Sequence, residues 1–230
     1  MPRLCKTCGE NDRWLPVPVD THRTFLGKLI VPTAAVPHAD GLKSNLAYNL
    51  QYLEYIDFTL QDLRLTSVLW TISVKNFLIV GTSVIEALLY YVLRAKGLHR
   101  KNHWQLLRKV VTNEFAVNTD TCKIENHFFQ KLPEPIEEEM NFDSMLKKVE
   151  TKKLLGNDEP LYKKLNYLRK LRNRVHLQLL EKNLDTDWHN FNHKELQLMK
   201  HALYAVFSSA LFSPTLDDLR PLGFLNVPEP

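Results

Sequence analysis

The chain has 230 residues, 44% of them hydrophobic, and a net charge of only +4. That is apolar material for one substantial core, and too little net charge for electrostatics alone to announce a nucleic-acid binder. Seven glycines among long Leu/Lys/Glu-rich segments disfavour a sandwich or barrel and predict an all-α protein.

Residues 1–41 hold Pro16, Pro18, Pro32 and Pro37 and no sustained 3.6-residue period. They are expected to form a mostly irregular, Pro-rich arm outside the core, with Trp14–Val19 and Phe25–Val31 as extended pieces or a small hairpin. Cys5 and Cys8 make half of a zinc-ribbon spacing. The second pair is missing, and only Cys122 and histidines such as His22 and His38 are left to complete it, so neither metal nor cofactor is expected. Three irregular cysteines exclude a disulfide framework, and the N-terminus lacks a signal-peptide layout, which fits a reducing cytoplasm.

From Leu42 the period changes. Leu46, Leu50, Leu53, Ile56, Leu60 and Leu63 predict an amphipathic helix over 43–65, capped by Ser44 or Asn45. A second helix, 67–96, is apolar on most faces and stops at Gly97, making an antiparallel hairpin with the first. Its most apolar run, Phe77–Val92, contains Glu86 and falls short of a membrane span, so no membrane is expected. Glu86 either meets an arginine of a later helix or lies on the solvent strip. His103 to Val111 suggest a short third helix over 102–112, followed by an insertion over about 114–141 and a helix near 142–155.

Gly156, Asn157, Asp158, Glu159 and Pro160 then form a strong start signal for a helix over 159–181, ending by Asn183. A last helix is expected over 193–212, stopped by Pro214, with 214–230 an extended tail. The domain reading is therefore an arm (1–41), a helical domain (42–213) and a tail.

The helix over 159–181 carries the chemistry. At about 100° per residue, Leu161, Leu165, Leu168, Leu171, Val175 and Leu179 make one apolar stripe. Beside it Arg169, Arg172, Asn173 and His176 share an arc of roughly 100°, with Arg172 and His176 one turn apart. Residues 161–180 hold Lys163, Lys164, Arg169, Lys170, Arg172 and Arg174 and no acid. Histidine moves protons near neutrality and guanidinium groups grip phosphate oxygens. RNA carries its own nucleophile, the 2′-hydroxyl, so such a ledge suits phosphodiester cleavage without a metal. The bland reading of the same residues is the solvated face of an amphipathic helix.

A helical hairpin, a variable insertion, a helix bearing Arg–Asn–His and a final amphipathic helix together resemble the HEPN superfamily, whose signature is an arginine, four to six residues, then histidine. Arg169 fits with six intervening residues. Arg172-Asn173 fits the polar residue that follows the arginine, but only three residues separate Arg172 from His176, so both arginines stand as candidates for the motif position. The resemblance spans about 43–212 and implies a bundle of four to six helices. It also implies a metal-independent endoribonuclease of toxin–antitoxin or defence type, a homodimer with a composite cleft, and an antitoxin or other defence protein as partner. In that reading His176 transfers the proton, Arg169 or Arg172 clamps the phosphate of the RNA substrate, Asn173 orients one of them, and Glu86 supports. Other members are non-catalytic dimerisation or partner-binding modules. A tyrosine two residues after the histidine marks a subgroup silenced by nucleotide transfer; Gln178 stands there instead.

Overall fold

Prolines at 16 and 18 do not keep the N-terminal segment irregular. In the computed structural model, which describes residues 16–176 and 186–226, a helix α1 (Val19–Leu29) starts directly after Pro18. Phe25, Leu26 and Ile30 are buried, and α1 packs on the next helix, α2 (Ala39–Asp62). The arm expected outside the core is thus partly core. Proline is well tolerated just before a first turn, where its missing N–H has no intrahelical partner to lose.

Helix α2 begins four residues earlier than the leucine period suggests, after His38. Helix α3 (Ser67–Ala95) is the hub, packed by α2 and by four later helices. It is long and apolar enough to cross a membrane, and its Phe77, Leu78, Ile85, Leu88 and Leu89 are buried within the protein. Gly97 ends the segment at φ 65°, a left-handed conformation that glycine adopts without strain. At Gly81 an added Cβ would lie 2.9 Å from the Met199 sulfur, so the bare backbone lets α3 meet the last long helix closely.

Next comes the main departure from an all-α fold: the described residues are 57% helical and 16% strand. Residues expected as a third helix form strand β1 (Lys101–Val111). It pairs antiparallel with β4 (Glu125–Glu137), and β2 (Phe115–Val117) pairs with β3 (Asp120–Cys122) across a turn with Asn118 at φ 54°. Apolar doublets at 106–107 and 110–111 fit a helix face and a bulged strand equally well. Two things tip them to strand: β-branched Val110 and Val111, and a distant partner strand no local pattern announces. Leu98–Met140 form a compact unit of their own; residues before and after make the other.

In the larger unit the chain resumes with α4 (Phe142–Thr151), capped by Asn141, then α5 (Glu159–Arg172), a 3₁₀ turn (Asn173–Val175), a short α6 (Asp187–Asn190) and α7 (His193–Phe207). The expected extended tail instead includes a 3₁₀ helix, Arg220–Leu225, that buries Leu222 and Leu225. Lys28 of α1 pairs with Asp218 just before it, whose carboxyl is held down to about 2, first by the Lys28 hydrogen bond and then by Thr215.

Candidate functional site

Helix α5 begins as its sequence dictates. The Asp158 carboxylate accepts the Leu161 N–H at 3.0 Å and Pro160 sits in the first turn. Leu161, Leu165, Leu168 and Leu171 are all buried, as the stripe requires. The helix then ends at Arg172, well short of Asn183. Val175, expected on the stripe, is 47% exposed; Leu179 lies outside the described residues. With no core partner at Val175, nothing offsets the modest helix propensities of Asn173, Val175 and His176. The chain tightens into the 3₁₀ turn, and the His176 N–H donates to the Asn173 carbonyl at 3.3 Å.

This geometry corrects the ledge. His176 leaves the turn in extended conformation, φ −81° and ψ 102°, so it is neither one helical turn from Arg172 nor a heptad from Arg169. It stands exposed at the mouth of the turn, with Asn173 exposed beside it.

The two arginines separate. Arg169 Nη2 contacts Asp143 Oδ1 of α4 at 2.9 Å, and Arg172 Nη2 contacts Glu86 Oε2 of α3 at 3.0 Å. Glu86 is thus the arginine partner, not merely part of a solvent strip. The Arg169 side chain is 19% exposed and that of Arg172 35%. The Asp143 carboxyl is held below its usual range, first by its hydrogen bond from Lys147 and then by the charge of Arg169. A guanidinium has five N–H donors, so Arg172 keeps donors to spare while Glu86 holds it. Arg174 lies near Tyr167, whose hydroxyl donates to Glu195 at 3.1 Å. Burial and the Glu195 charge push that phenol's pKa up.

Several charged side chains of the interior escaped the reading of sequence. Lys200 meets Asp57 at 2.8 Å with both side chains buried, Lys75 meets Asp187 at 2.9 Å, and buried His22 faces Glu54 at 3.8 Å. Each pair joins residues more than thirty positions apart, and no spacing rule reaches that far. Cys5 and Cys8 lie outside the described residues, and among the described residues no group of three or more His, Cys, Asp or Glu side chains could hold a metal. A surface cavity of about 320 Å³ lies between α5 and α7, lined by Asp158, Lys164, His201, Tyr204 and Ser208; it takes in none of the four ledge residues, nor Glu86. Compared with known protein families, with curated proteins and with solved structures, the chain has no match.

Proposed function

We propose that the end of α5 is a metal-independent RNA-cleaving site of the HEPN type. The observation that carries it is the placement of Arg172, Asn173 and His176 within five residues of each other where the helix stops, with Arg172 steadied by Glu86 across the bundle. Arg172 is the phosphate clamp in this reading, because it is the more exposed arginine and adjoins the turn that carries His176. Arg169 is a structural residue tying α5 to α4 through Asp143. The imidazole takes the proton from a ribose 2′-hydroxyl, the 2′-oxygen bonds to phosphorus, and the bond to the 5′-oxygen breaks as that oxygen takes a proton from water, the imidazolium then returning its own to solvent. The guanidinium stabilises the charge that builds on the phosphoryl oxygens. The resemblance further suggests that two copies supply one cleft and that an antitoxin or defence protein regulates it, in the cytoplasm.

A non-catalytic helical binding module is the second reading, favoured by the ion pairs that engage both arginines. Incubation of RNA with the protein in EDTA separates the two. The ribonuclease reading predicts fragments ending in 2′,3′-cyclic phosphate and intact DNA of the same sequence. Uncut RNA, or cleavage only with a divalent metal, favours the binding module.

A further inference from the structure

The paired strands β1 and β4 carry an unusual load of exposed apolar side chains for a soluble ribbon. A two-stranded sheet is marginal in water unless something covers a face. The register assigns the faces: Trp104 opposes Lys131, Leu106 opposes Phe129, Lys109 opposes His127, and Val111 opposes Glu125. Side chains two apart on β4 share a face, and the contacts agree. The His127 and Phe129 rings lie 6.3 Å apart, and Lys109 reaches Glu125 at 2.7 Å. One face therefore presents Trp104, Leu106, Val111 and Phe129, all about half exposed, with Lys109, Glu125, His127 and Lys131 set among them. The other presents mainly Gln105, Arg108, Asn126 and Gln130, with Leu107 and Phe128 its large exposed apolar side chains.

We infer that the Trp104/Leu106/Val111/Phe129 face is a dimerisation surface, packed against the same face of a second copy of this chain. Area and charge both point to that occupant. Four large side chains, each half exposed, offer on the order of 400 Å² of apolar surface. A standard interface of about 800 Å² per partner, a little over half of it apolar, calls for about that much. Pairing the ribbons face to face about a two-fold axis perpendicular to the strands sets each end against the opposite end. Lys131 then faces Glu125 of the partner subunit, Trp104 faces Val111 of the partner subunit, and Lys109 lies over Leu106 of the partner subunit, so no lysine opposes a lysine. Pairing through the sheet edges would leave the apolar face wet, and Pro133 and Pro135 withhold N–H groups from the β4 edge. The residues from Leu98 to Met140 hold six lysines and arginines against seven acids, a balance that does not favour a nucleic acid as the occupant.

This inference does not depend on the reading of the α5 site. Sedimentation of the full chain at micromolar concentration should give twice the chain mass. Trp104→Glu and Phe129→Glu should each weaken the dimer at least about 30-fold, the usual loss at an aromatic hot spot. Both should keep the helical circular dichroism signal of the wild type, since the side chains are exposed and belong to the ribbon and not to the helical unit. Phe128→Glu, on the other face, should stay dimeric. A monomeric wild type overturns the inference. So does a dimer that survives both face variants, or one that Glu86→Gln dissociates instead. Loss of single-stranded RNA binding in Phe129→Glu with the mass unchanged would assign the face to nucleic acid and also overturn it.

Discussion

His176 and Arg172 are joined by a turn rather than by a helix, and that changes what substitution should do. An exposed imidazole with its backbone already tied to Asn173 contributes little to folding, so His176→Ala should leave the melting temperature unchanged while lowering RNA cleavage by roughly 10²–10⁴. Equal cleavage by the two proteins would remove His176 from the reaction. The arginines should part company in the same assays. Arg172→Ala should match the kinetic loss of His176→Ala. Arg169→Ala should mainly lower stability, since it removes the Asp143 contact that ties α5 to α4. Arg174, on the Tyr167 side, is the control whose loss should change activity little. The residue types were legible in the sequence because Arg, Asn and His in such proximity are chemically narrow. Which arginine is exposed was not, because exposure depends on Asp143 and Glu86, far away in the chain.

Elements with a strong local start were legible, and elements that depend on distant partners were not. Asp158, Glu159 and Pro160 located the beginning of α5, whereas its end depended on where the core beneath it stops. The difference is measurable: Leu171→Ala should cost about 2–5 kcal/mol, as for other buried leucines, while Val175→Ala should stay within about 0.5 kcal/mol, as for a surface site. Similar costs would restore the longer stripe. The β1–β4 ribbon is the opposite case, since its pairing spans residues no local pattern connects. Glu125 clamps it. Hydrogen bonds from Lys109 and then Lys123 lower its carboxyl from 4.5 to about 2, so the folded ribbon holds the charged form more tightly than the unfolded chain does. A carboxylate with a depressed folded-state pKa contributes stability that is present above 4.5 and lost as pH falls toward about 2. Amide exchange across the Lys109–His127 pairing should therefore speed up from pH 5 to pH 3, relative to the expected intrinsic rates, more in wild type than in Lys109→Ala. An equal response in both would show that Glu125 is not the cause.

At the scale of the whole molecule, the four long apolar periods led to the larger unit, in which α3 lies against α2, α4, α5 and α7. The same reasoning erred on α1, whose prolines masked a helix, and on Leu98–Met140, where a strand ribbon replaced a helix. Composition could not separate these outcomes, because leucine-, lysine- and glutamate-rich segments around a short strand unit average to an all-α profile. Buried charge is a second global feature hidden from sequence. Lys200 and Asp57 compensate each other inside the bundle, so Asp57→Ala should cost about 3–5 kcal/mol and Asp57→Ala/Lys200→Met much less. Whether RNA attacks itself at the end of α5 is decided by one substrate. Once the cut position on an RNA is mapped in EDTA, the same RNA is made with a single 2′-deoxy sugar on the 5′ side of that phosphodiester. The modified position should no longer be cut; cleavage there at the unmodified rate would contradict attack by the 2′-hydroxyl.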